Sequence, residues 1–389
     1  MKNEYDVVVV GAGPSGSVAA RYAAQKGASV LMLEKDRDIG LPVRCGEACS
    51  QRSIEPFINT NEKWISARVN KYSFVAPNGK CAVVPFKETV LILDRKVFDY
   101  ELAKLAAKEG VEIFTKTYVK GLLFDNNKVA GVTFEAKGKT FKIKSKIVIG
   151  ADGVESRVGR WAGLRTYVNY KDMGSCVQVV ATNINIESDT CIFYLGTNYA
   201  EGGYVWVFPK GHDIANIGVG ITGETNKKKN ALSFLKEFFR EYFPDGKILS
   251  SVAGGSPTVP TLKKISAPGI MLVGDAARQV NPLSGGGIGT GMLGGSIAGK
   301  LSSIAIERNN LDLILKYDKE WYKVAGKRHI IFDKIKNEIY KFDDEKYNQM
   351  EKTINKIPEN KRTLARLFSS ALINHPGMVK DVVKVFVKK

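Results

Sequence analysis

The chain has 389 residues, of which 44% are hydrophobic and 25% charged, as expected for a folded globular protein. No apolar run reaches the roughly 18 residues that a membrane-spanning helix needs, and no signal-peptide pattern precedes the first strand, so we expect a cytoplasmic protein. Five cysteines and three histidines lack the spacing of a disulfide scaffold or a metal centre. The net charge of +18 indicates either an anionic partner or simply a lysine-rich composition, and no nucleic-acid-binding module accompanies it.

The first residues predict one βαβ unit. Residues 5–10 (YDVVVV) are an apolar, β-branched run typical of a strand buried on both faces. Residues 11–16 are rich in glycine, residues 17–26 have helical spacing, and residues 28–33 form a second apolar strand that ends at Glu34. The unit has about thirty residues, the length expected for a parallel crossover.

The rest of the chain alternates between two kinds of structure. The patterns predict a hairpin at residues 69–85, a helix at 96–109, a strand at 111–114 and an antiparallel meander at 128–149. They then predict a separate antiparallel sheet at 176–222, a buried strand at 270–273, a glycine-rich helix at 285–304 and lysine-rich helices from residue 312 onward. We therefore predict an α/β fold (α+β overall), in which a Rossmann-like dinucleotide-binding domain is interleaved with an antiparallel β-sheet substrate domain and followed by a helical C-terminal region. The predicted limits are 1–65, 94–165 and 264–305 for the first domain, 66–93 and 166–263 for the second, and 306–389 for the helical region.

Residues 11–16 (GAGPSG) match the dinucleotide-binding pattern G-x-G-x-x-G. Between a strand and a helix, Gly11 permits the tight turn, Gly13 lets a pyrophosphate approach the backbone, and Gly16 lets the helix pack on the strand. The helix N-terminus offers free N–H groups to phosphates, and Glu34 can accept hydrogen bonds from ribose hydroxyls. This pattern alone does not distinguish NAD from FAD.

Two later glycine motifs favour FAD. Residues 150–153 (GADG) and 274–278 (GDAAR) each follow a predicted strand, and residues 281–289 (NPLSGGGIG) come next. Asp275, at a strand end, can bind a ribityl chain, and the glycine run can begin a helix directed at the pyrimidine ring of a flavin. Reduced flavin carries negative charge at that ring, which a helix N-terminus stabilises. We therefore predict an FAD-binding domain, against the alternative that the glycines serve helix packing alone.

The three glycine motifs together resemble the flavoprotein fold of the aromatic hydroxylases. Residues 42–47 (PVRCGE) and 204–209 (YVWVFP) further resemble two segments of the archaeal geranylgeranyl reductases. The resemblance runs from residue 5 to about residue 325. It implies FAD-dependent reduction of isolated double bonds in the geranylgeranyl chains of an archaeal-type membrane phospholipid precursor.

The resemblance also implies roles for particular residues. It implies contacts with adenosine and phosphate for Ser15, Gly16, Glu34, Lys35 and Val119. It implies contacts with the rest of the cofactor for Arg44, Cys45, Gly46, Glu47, Arg95, Asp275, Gly286, Gly287 and Ile288. It implies a lipid tunnel lined by Tyr204, Trp206 and Phe208.

The residue patterns by themselves leave alternatives open. Residues 204, 206 and 208 share one strand face, because strand side chains alternate, so their rings form either a channel wall or an aromatic core face. Cys45 is either a catalytic thiol, whose thiolate the neighbouring Arg44 would favour, or a small residue packed beneath the flavin. The basic tail at residues 379–389 either contacts anionic lipid headgroups at a membrane surface or docks through its valines.

Two other functions remain alternatives at this point. A flavin monooxygenase like the aromatic hydroxylases would share the same motifs. An electron-transfer flavoprotein would need a set of iron–sulfur cysteines, which this sequence lacks, or an accessory chain that has one. Since a second nucleotide fingerprint is absent from the sequence, we expect an external electron donor, either ferredoxin or a reduced nicotinamide.

Overall fold

The computed structural model describes residues 1–373 and 376–387, so that His375 and residues 388–389 of the basic tail lie outside it. This part of the chain contains α-helices and two eight-stranded β-sheets, which confirms the predicted fold class. The α-helices are α1 (Pro14–Ala24), α2 (Gln51–Ile54), α3 (Arg95–Lys108), α4 (Arg157–Trp161), α5 (Thr197–Ala200), α6 (Gly223–Lys228), α7 (Ala231–Tyr242), α8 (Ile288–Glu307), α9 (Tyr317–Trp321), α10 (Lys327–Ile339), α11 (Asp344–Asn355), α12 (Leu364–Ala371) and α13 (Pro376–Phe386).

The first sheet contains the predicted βαβ unit. Its strands are β1 (Glu4–Val10), β2 (Val30–Leu33), β6 (Glu112–Phe114), β7 (Tyr118–Asp125), β8 (Lys128–Ala136), β9 (Lys139–Gly150), β15 (Ser266–Ala267) and β16 (Ile270–Leu272). Strands β16, β9, β1, β2 and β6 lie side by side in that order and are all parallel. The carboxyl ends of parallel strands meet at one edge, so the glycine motifs that follow β1, β9 and β16 come together there.

Helices α1 and α8 pack directly against each other. A Cβ at Gly295 would collide with the Ser15 carbonyl oxygen, and one at Gly299 with that of Ala19, so these glycines permit the close approach. The pairs advance together along both helices, which shows that the helices run in the same direction. Their N-termini therefore lie at the same end of the domain.

The second sheet has eight strands. They are β3 (Ala48–Ser50), β4 (Ile65–Val75), β5 (Cys81–Leu93), β10 (Met173–Thr182), β11 (Thr190–Tyr194), β12 (Tyr204–Pro209), β13 (Ala215–Thr222) and β14 (Lys247–Pro257). Their spatial order is β14-β10-β13-β12-β11-β4-β5-β3. The prediction of a purely antiparallel sheet is wrong at one place, because β11 and β4 are parallel. No tight turn joins these two strands, so the connection does not impose an antiparallel pairing.

The two faces of the second sheet contact different layers. On one face, helix α7 buries Phe234, Leu235 and Phe238 against the β-branched residues of the central strands. At the β4–β5 hairpin, helices α10 to α13 pack over Phe74 and Ala82. Strand β3, although within residues 1–65, pairs with β5 of this sheet. The exact domain limits stay a prediction.

Within residues 1–373 and 376–387, every helix is either too short or too polar to cross a bilayer. The same part of the chain contains no cluster of three His, Cys, Asp or Glu side chains able to hold a metal ion.

Candidate functional site

Residues 11–16 form a tight turn between β1 and α1. Gly11 has a φ of 103°, and a Cβ there would collide with the Ala151 carbonyl oxygen. A Cβ at Gly16 would collide with the Gly11 carbonyl oxygen, so packing requires both glycines. At Gly13, by contrast, a Cβ would meet no atom within 4 Å. Open space therefore lies before the N-terminus of α1, where no side chain caps the free N–H groups.

Glu34 directly follows β2 and faces this turn. Its carboxylate accepts hydrogen bonds from the backbone N–H groups of Ala12 at 2.8 Å and Asp36 at 2.9 Å. Lys35 is exposed and forms an ion pair with Asp36, and Val119 is buried in β7. A groove of about 400 Å³ opens beside them and is lined by Lys35, Lys116, Tyr118, Lys120, Glu135, Ala136 and Lys137.

Asp275 lies at the N-terminus of α8. A Cβ at Gly287, the residue before the helix, would be 3.5 Å from the Asp275 carboxylate. Within the described ranges, burial and the charge of Arg95 act on this carboxylate, and no residue donates a hydrogen bond to it. Burial raises its pKa, which the positive charge of Arg95 opposes. Gly286 is exposed, and Ile288 is buried in the same apolar cluster as Cys49. A polar ligand such as a ribityl hydroxyl would supply the partner that this carboxylate lacks.

The loop at residues 42–47, here called the Cys45 loop, is held by the carboxylate of Glu47. Glu47 is 2% exposed and has a left-handed backbone, with a φ of 69°. Its carboxylate accepts hydrogen bonds from the backbone N–H of Arg95 at 3.1 Å and from the side-chain amide of Asn216 at 2.6 Å. It also forms an ion pair with Lys210. Every partner is a donor or a cation, so the buried charge is compensated.

The guanidinium beside Cys45 is that of Arg95, whereas the sequence analysis predicted Arg44. Burial raises the pKa of the Cys45 thiol, and the charge of Arg95 opposes this shift. Arg44 is exposed, and its alkyl chain lies against Gly254. The prediction that Arg44 favours a thiolate is therefore wrong, because the Arg44 side chain lies against Gly254 and the charge that acts on the thiol is that of Arg95. Arg95 in turn donates two hydrogen bonds to Asp99, at 2.6 and 2.8 Å.

One register row crosses the second sheet. Its successive cross-strand partners are Gln178 (β10), Gly218 (β13), Trp206 (β12), Phe193 (β11), Phe74 (β4) and Ala82 (β5). Cross-strand partners point to the same face of a sheet, so these side chains form one line. The ring centroids of Phe74 and Phe193 are 5.4 Å apart, as are those of Phe193 and Phe208. We call Phe74, Phe193, Tyr204, Trp206 and Phe208 the aromatic row.

The aromatic row extends from the Cys45 loop to the C-terminal helices. A Cβ at Gly46 would lie 3.0 Å from the Phe208 ring and 3.5 Å from the indole nitrogen of Trp206. The Tyr204 hydroxyl donates a hydrogen bond to the Ser284 carbonyl oxygen at 2.7 Å, close to the glycines before α8. Trp206 and Phe208 are 8% and 7% exposed, so their rings already pack tightly. That they line a lipid channel stays a prediction.

Most of the predicted cofactor residues fall into two groups. Gly11, Gly13, Ser15, Gly16 and Glu34 form or contact the glycine turn, whereas Cys45, Gly46, Glu47, Arg95, Asp275, Gly286, Gly287 and Ile288 lie around the N-terminus of α8 and the Cys45 loop. Outside these groups, Lys35 lines the groove described above, Val119 is buried in β7, and Arg44 lies against Gly254. The parallel helices α1 and α8 place both groups at one edge of the first sheet. An extended dinucleotide fits this arrangement, since it would offer phosphates to one group and a ring to the other.

Sequence patterns did not identify four polar residues of this site: Asp99, Gln178, Lys210 and Asn216. Gln178 and Asn216 lie in strands, where a buried amide is unusual enough to mark a site. The alternation of Asn216, Gly218 and Gly220 opposite three aromatic residues is a further signal, because small residues on β13 leave room for rings from β12. Asp99 and Lys210 are ordinary charged residues in sequence, and only their tertiary partners distinguish them.

Two family models match separate parts of the chain. Residues 172–256 match the family model for the geranylgeranyl reductase catalytic domain, and residues 9–54 match an NAD(P)-binding Rossmann-like domain. The chain is 41% identical to the digeranylgeranylglycerophospholipid reductase of Methanocella arvoryzae, with 98% of this chain and 99% of that protein covered. It is 42% identical to the enzyme of the same name from Methanosarcina acetivorans, with 84% and 82% covered.

Solved structures show the same similarity. A geranylgeranyl bacteriochlorophyll reductase-like protein from Thermoplasma acidophilum is 32% identical and superimposes with a TM-score of 0.92, over 99% of this chain and 100% of that one. A flavin-dependent brominase is 17% identical, with a TM-score of 0.73 over 98% and 97% of the two chains. The second similarity shows that the fold is shared.

Proposed function

Because this chain belongs to the family of digeranylgeranylglycerophospholipid reductases, as its sequence predicted, we propose that it reduces isolated carbon–carbon double bonds in the geranylgeranyl chains of a membrane phospholipid precursor. The observation that carries this proposal is the aromatic row, which leads from the Cys45 loop across the sheet. One end of the row lies where a flavin ring would be bound and the other lies beneath apolar helices.

FAD is the cofactor of this reaction, and when bound and reduced it supplies the hydride. The open space at Gly13 and the free N–H groups of α1 would hold its phosphates. Glu34 would bind the ribose, and the unpartnered carboxylate of Asp275 would bind the ribityl chain. The N-terminus of α8 would stabilise negative charge on the ring.

The chain's own residues supply orientation and exclude water. An isolated double bond is not activated, so it must be held against the hydride source in a dry site. The rings of Trp206 and Phe208 are buried and lie against Gly46, so a prenyl chain between them and the flavin would be shielded from solvent.

The second carbon of the double bond needs a proton, and Cys45 is our candidate donor. Burial raises its pKa, which keeps the thiol protonated at neutral pH. Its sulfur accepts a hydrogen bond from the backbone N–H of Glu47 at 3.2 Å, which fixes its position in the loop.

An external donor must reduce the flavin, and ferredoxin or a reduced nicotinamide has suitable chemistry. The net charge of +18 favours approach of an acidic protein or an anionic membrane surface. We propose that the enzyme is cytoplasmic and contacts the membrane peripherally through the exposed Lys380 and Lys384 of helix α13, while Val382 and Val385 dock this helix against the other C-terminal helices.

A single-turnover experiment tests the function. The FAD-loaded protein is reduced chemically without oxygen and mixed with a geranylgeranyl phospholipid in detergent. We expect the flavin to reoxidise and the lipid to gain two hydrogens per reduced bond, as measured by mass spectrometry. A fully saturated lipid is the control and should leave the flavin reduced. Reoxidation only in the presence of oxygen, with an oxygenated product, would instead indicate a monooxygenase.

A further inference from the structure

Gln178 joins the aromatic row to the Cys45 loop through both ends of one buried amide. The indole N–H of Trp206 donates to its Oε1 at 3.0 Å, and its Nε2 donates to the Cys45 carbonyl oxygen at 2.9 Å. Gln178 is 5% exposed and lies on β10, away from both partners in sequence. We propose that Gln178 is a positioning residue, through which a lipid chain lying against Trp206 changes the position of the Cys45 loop beside the flavin.

The side-chain amide of Gln178 satisfies the chemistry of both partners. An indole N–H can only donate, and a backbone carbonyl can only accept, so the group between them must accept at one end and donate at the other. The two partners therefore also fix which end of the amide carries the oxygen. Glutamate would meet the Cys45 carbonyl with a second acceptor, and methionine would leave both partners unpaired.

The strand between these residues is built to let them meet. Gly218 on β13 is the register partner of both Gln178 and Trp206. A Cβ at Gly218 would collide with the six-membered ring of the indole, so the ring lies across the bare backbone of β13. Only this crossing brings the indole nitrogen within reach of a side chain two strands away.

The contact has a direct consequence for the proposed reaction, on which this inference rests. A prenyl chain that shifts the indole of Trp206 also shifts Oε1 of Gln178, which accepts its hydrogen bond. The amide moves as a unit, so the hydrogen bond from Nε2 to the Cys45 carbonyl oxygen changes in length or direction. The amide is buried, so water does not readily replace the lost partner. The position of a lipid chain at Trp206 is thus communicated to the backbone of Cys45 through one buried amide.

The test reads the flavin absorption spectrum of the FAD-loaded protein while a saturated phospholipid analogue is added, so that no turnover occurs. We expect a lipid-induced difference spectrum in the native protein. Gln178→Met and Gln178→Glu should lose it and bind FAD normally. Turnover of geranylgeranyl lipid should have a kcat lowered about ten-fold in Gln178→Glu, which loses the hydrogen bond to Cys45, and lowered further in Gln178→Met, which loses both hydrogen bonds. Ser175→Ala, on the other face of β10, is the matched control and should behave as the native protein.

A second pair of variants keeps the test decisive if Gln178→Met folds poorly. Trp206→Phe removes the indole donor and should also lower kcat, and Trp206→Phe combined with Gln178→Glu should lower kcat no further than the larger of the two single losses. A normal difference spectrum in Gln178→Glu, or independent losses in the double variant, would overturn the coupling. If the native protein reduces the lipid but the variants give either of these results, only the coupling is overturned. If the native protein does not reduce the lipid, the proposed function is overturned.

Discussion

The side-chain amide of Asn216 donates a hydrogen bond of 2.6 Å to the carboxylate of Glu47. Asn216 lies on β13 of the second sheet, and Glu47 ends the Cys45 loop, which comes from the N-terminal part of the chain. The same carboxylate is paired with Lys210, in the turn between β12 and β13. The loop is therefore fixed to the hairpin whose first strand carries the aromatic residues, and the two parts of the site are built as one unit.

We predict that Lys210→Met lowers the free energy of unfolding by about 3 kcal/mol, because it leaves a buried carboxylate without its cation. Glu47 is 2% exposed and Lys210 is 17% exposed, so water screens the pair poorly. Urea unfolding of the protein without FAD, followed by circular dichroism, measures the change. Glu307→Gln, which breaks the exposed pair with Lys26, is the control and should cost about 0–1 kcal/mol. Equal effects of the two substitutions would contradict the prediction.

Two glycines of the same motif should respond differently to alanine. Gly13→Ala should fold normally, since a Cβ there meets no protein atom, but it should weaken FAD binding by about ten-fold or more because the methyl group occupies the space of the pyrophosphate. Gly16→Ala should instead destabilise the protein without FAD, by about 1–3 kcal/mol, since the methyl group overlaps the backbone of Gly11.

Flavin fluorescence titration measures FAD binding, and urea unfolding of the FAD-free protein measures stability. Unchanged FAD affinity in Gly13→Ala would show that the open space is not the phosphate site.

Thiol reactivity should identify one accessible cysteine. Cys81 is exposed, whereas burial raises the pKa of Cys49 and Cys176 to about 11 and also raises the pKa of Cys45 and Cys191. At pH 8 we expect one fast-reacting thiol per folded chain with a disulfide reagent, and none in Cys81→Ser. A second fast thiol in that variant would contradict the predicted burial. Since ionisation is disfavoured in the folded state, stability should fall as the pH rises from about 9 toward 11.

His329 should make the protein sensitive to acid. Burial, together with the charge of Arg328, lowers the pKa of His329 to about 4, and its ring contacts the Thr261 hydroxyl at 3.2 Å. The folded state therefore favours the neutral ring. Protonation of the unfolded chain should remove about 3 kcal/mol of stability as the pH falls from 6.5 to 4. His329→Gln should lose less over the same range in urea unfolding at each pH, and parallel losses in both proteins would contradict this assignment.

The local elements of this fold follow closely from the sequence. The strand, glycine turn and helix at the N-terminus, the hairpin around residues 76–80, and the helix stop at Gly110, with a φ of 90°, all lie where the patterns predict them. Each depends on neighbouring residues, through side-chain alternation, helical spacing or the backbone freedom of glycine. The parallel pairing of β4 with β11 was not predicted, because the two strands are more than a hundred residues apart.

The sequence by itself determined the family, the cofactor class and the aromatic face of β12, because short motifs encode the turn, the helix start and the alternation that these features need. The tertiary structure decided which charges meet. It placed Arg95 rather than Arg44 beside Cys45, gave the Glu47 carboxylate its partners Lys210 and Asn216, and joined Trp206 to Cys45 through Gln178. Burial makes each of these pairings strong, and burial arises only when distant strands pack together.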